Sequence, residues 1–269
     1  MNPSALLPVA HEAIDVASKL VRGSVPGTLT AKGDRDMASE VDFAVERAVR
    51  RFLQEATPTI DFLGEEEGVS GHGADVVWTL DPVDGTANLV HGLPLCAVSL
   101  GLVRRGRPVL GVIDLPFLES RYSAIEGQGA QVDGRTLQTS QTVNLHDAIV
   151  AIGDYAVGTN AEAKNSLRLA LTAQLAATAL RVRMFGSAAI DLAWVAEGRL
   201  DASIILGNKP WDMAAGVVIA REAGAHVVDR DGSPHTADSA ATVAIAPRLV
   251  DQVVALIRQV EEDATVAGQ

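Results

Sequence analysis

Two aspartates, Asp81 and Asp84, come directly after a run of apolar and β-branched residues at 76–80, with Pro82 between them and Gly85 after them. Pro and Gly favour a turn, and a turn at the end of a strand would aim both carboxylates to one side. Paired carboxylates in such a place are suitable ligands for a hard divalent cation. Turns of this kind also occur where aspartate only caps the backbone, so the pair alone leaves both interpretations open.

Further acids favour the cation interpretation. Glu65, Glu66 and Glu67 follow another apolar run, and a surface loop with so many like charges would lose stability. Asp212 stands at the start of an apolar helix, where it could instead be an N-cap that contributes about 1 kcal/mol. Asp42 lies in a segment where it could be one acid of a solvated helix face. For these two aspartates a structural role and a chemical role both stay open.

Four of these acids could be ligands of Mg²⁺, which takes oxygen ligands and keeps water and substrate phosphate in its shell. They come from three separate segments of the chain: Glu65, Asp81, Asp84 and Asp212. Carboxylates brought together without a cation repel one another and raise each other's pKa. Convergence of these side chains would therefore itself indicate a metal site.

The residues after Asp84 add a candidate phosphate site. If Gly85 and Thr86 open a short helix, their backbone N–H groups point at an anion, and glycine lets that anion approach closely. The Thr86 hydroxyl could orient a metal-bound water. Two cations about 4 Å apart could activate this water and stabilise the leaving alkoxide. Together these groups indicate phosphate ester hydrolysis by direct attack of water.

The composition limits the classes of partner. The chain has 269 residues, 48% of them hydrophobic, which is enough for a large core. Its 22 basic and 34 acidic side chains give a net charge of −12, which argues against nucleic acids and anionic membranes as partners. The single cysteine, Cys96, lies in an apolar run and is expected to be a buried thiol. Because no signal peptide and no membrane-spanning run is recognisable, we expect a cytoplasmic protein.

Hydrophobic periodicity and turn residues predict a chain that mixes helices and strands. Helices are predicted at residues 4–21, 40–55, 161–180, 187–198, 211–224 and 248–263, with Ser39 capping the second and Gly224 closing the fifth. Strands are predicted within residues 75–80, 95–103, 108–116, 121–127, 148–158, 181–183, 200–206 and 226–234. Residues 23–39 are predicted to form a loop, and residues 126–135 to supply turns. Grouped strands and paired helices favour layers over a strict βαβ alternation.

Four motifs give the chain a resemblance to a known family. They are KGDRDMASEVD at 32–42, GEEEG at 64–68, WTLDPVDGTANLVHGLP at 78–94 and WDMAAGVVIAREAG at 211–224. In this order they resemble the inositol monophosphatase family of Mg²⁺-dependent, lithium-sensitive phosphatases. The resemblance implies an α+β fold, the layered α-β-α-β-α sandwich that this family shares with fructose-1,6-bisphosphatase. It also implies a single domain over 1–269, a homodimer and a small phosphorylated polyol as substrate.

The resemblance also implies roles for individual residues. Glu65, Asp81 and the Val83 carbonyl would hold one Mg²⁺, and Asp81, Asp84 and Asp212 a second, with a third cation possible at Glu65. Thr86 and Asp42 would position and deprotonate the attacking water, and the amides of Gly85 and Thr86 would bind phosphate. The substrate alcohol would lie against Gly186, Ser187 and Ala188. Residues 1–140 would thus carry most metal and phosphate ligands, and residues 141–269 would carry Asp212 and the substrate pocket.

Two positions depart from the family pattern. Ile205 stands where the family has a glutamate that contacts inositol, and isoleucine cannot accept a hydrogen bond from a sugar hydroxyl. Ala38 and Ser39 replace a commoner Val-Thr pair, and Ser39 keeps the hydroxyl. Lys209 could either reach a distal group of the substrate or be a solvated loop residue.

Three functions are therefore compatible with the sequence. The first is hydrolysis of inositol-1-phosphate, with two or three Mg²⁺ per site. The second is hydrolysis of another small ester, such as histidinol phosphate, fructose 1,6-bisphosphate or a 3′-phosphonucleotide, at the same metal site. The third is a binding role with the transcription machinery, as in some relatives of this family. Retention of the whole acidic set favours catalysis.

Overall fold

A computed structural model of the chain describes residues 2–23, 29–33 and 36–267. A single 3₁₀ turn, Pro3–Ala5, comes first and is capped by the Asn2 side chain. The helices that follow are α1 (Leu7–Gly23), α2 (Glu40–Ala56), α3 (Thr86–Val90), α4 (Ala161–Thr178), α5 (Ala188–Ala196), α6 (Pro210–Glu222) and α7 (Val250–Ala267). The six helices predicted from periodicity are all found, and the sixth runs four residues further than predicted.

The strands fall into three groups along the chain. The first is a hairpin, β1 (Leu29–Gly33) and β2 (Asp36–Ser39). The second comprises β3 (Asp61–Gly64), β4 (Gly68–Ser70), β5 (Val76–Asp84), β6 (Ala97–Arg104), β7 (Arg107–Leu115), β8 (Ser120–Ile125), β9 (Ala130–Val132) and β10 (Arg135–Thr136). The third comprises β11 (Ile149–Ile152), β12 (Arg181–Arg183), β13 (Ala202–Ile205), β14 (His226–Val228) and β15 (Thr242–Ile245).

One loop prediction is wrong in part. A loop is predicted over residues 23–39, but β1 and β2 pair there as an antiparallel ladder, with Leu29 opposite Ser39. The remainder of that prediction, at residues 24–28 and 34–35, lies outside the described residues. The turns predicted within residues 126–135 are confirmed, since Gly127, Gly129, Asp133 and Gly134 have positive φ, and the last two residues join the short strands β9 and β10. Composition alone did not reveal these two strands, because Gly- and Asp-rich segments form hairpin turns as readily as open loops.

The strands build two large sheets. In the eight-stranded sheet the order is β10-β9-β8-β7-β6-β5-β3-β4, and only the β3–β5 pair is parallel. In the five-stranded sheet the order is β12-β11-β13-β15-β14, with β11 parallel to both of its neighbours. All strands of the first sheet lie within residues 61–136, and all strands of the second within residues 149–245.

Three helix pairs alternate with the two sheets and form five layers. Helices α1 and α2 cover the outer face of the eight-stranded sheet, and α2 buries Val41, Val45, Val49 and Leu53 at helical spacing. Helices α5 and α6 fill the space between the sheets and contribute apolar residues to both adjoining cores. Helices α4 and α7 cover the outer face of the five-stranded sheet. This is the α-β-α-β-α order of the predicted α+β fold, which is thereby confirmed.

Helix α6 lies unusually close to the eight-stranded sheet. Gly101 on β6 and Gly111 on β7 are paired across the ladder, directly beneath the helix. A Cβ atom on Gly111 would lie 2.6 Å from the carbonyl oxygen of Ala215, and one on Gly101 would lie 2.6 Å from the Cβ of Ala214. Two small residues in the sheet therefore set how closely the helix that carries Asp212 packs on it.

Within the described residues, no helix is both long and apolar enough to cross a membrane.

Candidate active site

The two aspartates that follow the apolar run lie at the carboxyl end of β5, on either side of a bulge. Asp81 pairs with Ser99 on β6 and Asp84 pairs with Ala97, so β5 has one extra residue between these pairs. A bulge of this kind bends a strand and re-aims its side chains. The Asp81 carboxylate also accepts a hydrogen bond from the Val83 amide at 3.0 Å, which holds the bend.

Parallel pairing of β3 with β5 brings Glu65 beside Asp81. Gly64 is the partner of Leu80 in the ladder, so Glu65 and Asp81 are each the next residue along their strands. The Glu65 amide donates to the Leu80 carbonyl at 3.2 Å, which continues the pairing beyond the strand. In the sequence both acids follow apolar runs, and the sheet topology places the ends of β3 and β5 side by side.

The four predicted metal ligands lie close enough to act on one another electrostatically. Burial raises the pKa of Asp81 well above its ordinary value, and the charges of Glu65, Asp84 and Asp212 raise it further, as does a hydrogen bond with Glu65. Burial raises the pKa of Asp84 to about 6, against the lowering effect of hydrogen bonds from Ser187 and Ala189. Asp81 is only 2% exposed. Burial and the repulsion among these carboxylates both disfavour their charged forms, and a bound cation would compensate the repulsion.

The donor set fits Mg²⁺. Within the described residues, no group of three or more His, Cys, Asp or Glu side chains is arranged so that it could hold a metal ion. Mg²⁺ commonly keeps several waters and binds substrate oxygens as well as carboxylates, so water and substrate would supply part of its shell. The alternative of Asp212 as the N-cap of α6 is wrong, since Lys209 occupies that position and Asp212 lies in the first turn.

Helix α2 presents Asp42 to the same place. Asp42 is fully buried, so its interpretation as part of a solvated helix face is wrong. Its Oδ1 accepts a hydrogen bond from the Thr86 hydroxyl at 2.8 Å, and its Oδ2 accepts one from the Ser39 amide at 2.9 Å. Ser39 caps α2, as predicted, in a capping box with Asp42. The carboxylate is therefore fixed by its own helix end and aimed at Thr86.

Thr86 begins α3, directly after a left-handed residue. Gly85 has φ of +91°, and a Cβ atom there would lie 2.8 Å from the Leu95 carbonyl oxygen and 3.2 Å from that of Gly186. Both the conformation and the space require glycine. The Thr86 hydroxyl also lies 3.0 Å from the Val83 carbonyl oxygen. Because a hydroxyl has one proton, Thr86 can donate to only one of its two acceptors, Asp42 and Val83, at a time.

The segment predicted to line the substrate pocket holds Asp84. The Ser187 hydroxyl donates to Asp84 Oδ2 at 2.7 Å, and the Ala189 amide donates to the same oxygen at 2.6 Å. Ser187 is also the N-cap of α5. Asn88 strengthens this junction, since its side-chain amide donates to the carbonyls of Leu95 and Phe185, both at 2.7 Å. Gly186 and Ala188 flank Ser187 and so lie at the same junction.

One acid near this junction is missed by the sequence analysis. Asp154 follows β11 after one residue, Gly153, and a Cβ atom on Gly186 would lie 3.5 Å from the Oδ2 of Asp154. Burial of the Asp154 carboxylate raises its pKa. Ile205 ends the neighbouring parallel strand β13, is 6% exposed, and lies 3.6 Å from where a Cβ atom of Gly153 would be. The available signal is an acid close behind an apolar run, a pattern similar to that at Asp81.

A second missed acid is Asp191 on α5, which is 2% exposed. One of its oxygens lies 3.4 Å from the Ser203 hydroxyl, and the other has no hydrogen-bond partner among the described residues. Burial raises its pKa well above the ordinary value, and the charge of Asp84 adds to this.

Lys209, whose role the sequence leaves open between a substrate contact and a solvated loop residue, lies with its Nζ 5.8 Å from the Trp211 ring centroid. It lines a cavity of about 630 Å³.

Comparison with known proteins identifies the family of this chain. The model of the inositol monophosphatase family matches residues 2–262. The chain is 38% identical to the inositol-1-monophosphatase ImpA of Mycolicibacterium smegmatis over 95% of its own length and 92% of that protein. It is 35% identical to the Nus factor SuhB of Pseudomonas aeruginosa over 85% of its length and 86% of that protein.

A similar fold has been solved in the extragenic suppressor protein SuhB from Bartonella henselae. The TM-score is 0.86 at 30% identity, and the superposition covers 95% of this chain and 99% of that one. Family model, sequence identity and fold all span nearly the whole chain. The chain therefore belongs to the inositol monophosphatase family of phosphatases.

Proposed function

We propose that the chain hydrolyses a small phosphate monoester in a Mg²⁺-dependent reaction, with inositol-1-phosphate as the leading substrate. The observation that carries the proposal is the electrostatic contact of three acids with Asp81: burial raises the pKa of Asp81, and the charges of Glu65, Asp84 and Asp212 raise it further. The Thr86–Asp42 hydrogen bond lies at the start of the adjoining helix α3. A cation site and a group that can orient water are thus supported by the same few elements.

The site residues would have two kinds of role: some would hold cations and phosphate, and others would transfer a proton from the attacking water. Glu65, Asp81 and the Val83 carbonyl would hold one Mg²⁺, and Asp81, Asp84 and Asp212 a second, with a third cation possible at Glu65. When bound, such ions lower the pKa of coordinated water and neutralise charge on the phosphoryl oxygens. Thr86 would orient the attacking water and pass its proton towards Asp42 Oδ1. The amides of Gly85 and Thr86 would bind the phosphate.

On the alcohol side, Gly186, Ser187 and Ala188 would bound the pocket. Ile205 offers no acceptor, and the Asp154 carboxylate beside Gly186 would take over contact with substrate hydroxyls. A hydrogen-bond acceptor at this position supports a polyol phosphate as the substrate. The absence of a glutamate at Ile205 also favours a second candidate, a phosphatase of histidinol phosphate, fructose 1,6-bisphosphate or a 3′-phosphonucleotide.

A binding role with the transcription machinery is supported by similarity to Nus factors SuhB, at 35% identity in P. aeruginosa and 32% in Pasteurella multocida. An Asp84→Asn variant that loses hydrolysis but keeps its role in cells would favour the binding role.

We further propose a cytoplasmic homodimer whose activity lithium inhibits. The chain would form one domain over 1–269, with residues 1–140 supplying most ligands and residues 141–269 supplying Asp212 and the pocket.

A phosphate-release assay over a panel of monoesters tests the proposal. We expect turnover of inositol-1-phosphate with Mg²⁺, none in excess chelator, and suppression by Li⁺. Negligible turnover of inositol-1-phosphate with rapid turnover of another ester would show that the other ester is the preferred substrate. Full activity in excess chelator would reject the metal-dependent reaction altogether.

A further inference from the structure

Helix α2 carries a second buried acid, Glu46, one turn after Asp42 and on the same face. Its Oε2 accepts a hydrogen bond from the amide of Glu66 at 2.7 Å, and its Oε1 accepts one from the amide of Glu67 at 2.9 Å. A single side chain of α2 therefore binds the backbone of the turn that directly follows Glu65. The proposed reaction does not use this carboxylate.

Arg50, one further turn along α2, completes the arrangement. Its Nη2 donates to Glu46 Oε1 at 2.6 Å and to the Gly68 carbonyl at 3.1 Å. Its guanidinium carbon lies 4.7 Å from the centroid of the Phe62 ring on β3. A buried carboxylate is stable only when it is paired and its remaining lone pairs are satisfied, and here both conditions are met. The network thus holds the turn at both of its ends.

Gly64 gives an independent indication that the fit is close. A Cβ atom at this position would lie 2.2 Å from the carboxyl carbon of Glu46, and within 2.4 Å of both carboxylate oxygens. No side chain can be placed there unless the carboxylate moves. The strand end before Glu65 and the turn after it are therefore both shaped around Glu46.

We propose that Glu46 is a positioning residue of the cation site: it fixes the turn at 65–67 so that the Glu65 carboxylate is held beside Asp81. Since Asp42 and Glu46 are four residues apart on one helix, α2 would set the positions of both Thr86 and Glu65. The inference rests on the proposed function, because it takes Glu65 to be a metal ligand. No chemical step is assigned to Glu46.

The first test is the Mg²⁺ dissociation constant of a Glu46→Gln variant, measured by titration calorimetry. Glutamine has one acceptor oxygen where three donors converge, so its NH₂ group would face a donor. We expect Mg²⁺ binding to weaken about tenfold or more, as when the support of a metal ligand is lost. Val45→Ala, in the core beside Glu46, is the control: its melting temperature should fall while Mg²⁺ affinity stays unchanged. Unchanged affinity in Glu46→Gln, or equal weakening in Val45→Ala, would overturn the proposal.

Amide hydrogen exchange gives a readout that needs neither activity nor metal. In the metal-free protein, the amides of Glu66 and Glu67 should exchange faster in Glu46→Gln than in the wild type, and as slowly as the wild type in Val45→Ala. Unchanged exchange at both amides would also overturn the proposal. If the wild type hydrolysed no ester with Mg²⁺, the proposed function would fail, while calorimetry and exchange would still decide the role of Glu46.

A second variant guards against simple misfolding of Glu46→Gln. Gly64→Ala leaves Glu46 and Arg50 intact and displaces the carboxylate from the opposite side. We expect the same combination of weaker Mg²⁺ binding and faster exchange at residues 66 and 67. A Gly64→Ala protein with wild-type values of both quantities would contradict the proposal.

Discussion

The Thr86 hydroxyl donates a hydrogen bond to Asp42 Oδ1 across 2.8 Å, although 44 residues separate the two in the sequence. In the proposed reaction the Thr86 hydroxyl orients the attacking water, and the proton of that water passes through Thr86 to Asp42 Oδ1. Loss of general-base assistance costs about 10²- to 10⁴-fold in rate. We therefore expect Asp42→Asn and Thr86→Val each to lower kcat by about this factor, measured by phosphate release at saturating Mg²⁺.

Two matched variants separate this role from structure. Thr86→Ser keeps the hydroxyl and should retain most of the activity. Ser39→Ala removes the cap that supports Asp42 and should cost about 1 kcal/mol of unfolding free energy while largely sparing kcat. A Thr86→Val enzyme as active as Thr86→Ser would contradict the assignment.

Asp212→Ala should remove a metal ligand without unfolding the protein. Several kcal/mol of transition-state stabilisation depend on a bound cation, so we expect kcat to fall by about 10³-fold or more. The protein should stay folded, as checked by a cooperative thermal transition, because Asp212 is not the N-cap of α6. Glu222→Ala, at the far end of the same helix, should lose stability but keep kcat, since its carboxylate accepts hydrogen bonds from the Gly127 and Gly129 amides. Survival of activity in Asp212→Ala would show that the cation geometry is wrong.

In the metal-free protein, Asp84 should contribute a loss of stability as pH rises from about 4 to about 6. Burial raises the pKa of Asp84 from 3.8 to about 6, so in this window folded Asp84 keeps a proton that the unfolded chain has released. His235, whose pKa burial lowers to about 4, contributes in the opposite direction over the same window, so the effect of Asp84 is measured as the difference in unfolding free energy between the wild type and Asp84→Asn. Asp81, whose pKa is raised by burial and by the neighbouring acids, should act in the same direction as Asp84.

Mg²⁺ competes with these protons, so its stabilising effect should be greater at about pH 7.5 than at about pH 5. Thermal unfolding at both pH values, with and without Mg²⁺, measures the difference. Without metal, the stability of the Asp84→Asn variant relative to the wild type should be greater at about pH 7.5 than at about pH 5, because asparagine does not titrate. An equal Mg²⁺-induced gain in melting temperature at both pH values would count against the site.

Asp154→Asn should affect substrates with hydroxyl groups selectively. A hydrogen bond to a charged acceptor contributes about 1.5–3 kcal/mol, which corresponds to a loss of about tenfold or more in kcat/KM. We expect this loss with inositol-1-phosphate but not with an aryl phosphate that carries no further hydroxyl. Asp251→Asn, in the first turn of α7, is the control and should leave both esters unaffected. Equal losses on both esters in Asp154→Asn would exclude a role in recognising the alcohol.

Local patterns were enough to predict much of the fold. Ser39 was recognisable as a cap because its capping box spans only four residues, and the helices because their apolar spacing is regular. The contact between Glu65 and Asp81 depends instead on parallel pairing of β3 with β5, which local sequence does not specify. Asp154 was missed for a related reason: its relation to Gly186 arises from packing between elements. Strand β15 was overlooked because its four residues follow a long polar segment.

The glycine pair beneath α6 matters for anyone who wishes to redesign this protein. Substituting Gly101 or Gly111 would lift the helix, and with it Asp212, away from the strand ends that bear the other acids. A library screened for thermal tolerance could accept such a lift after compensating changes elsewhere and still yield inactive clones. Both positions should therefore be held fixed as strictly as the acids themselves.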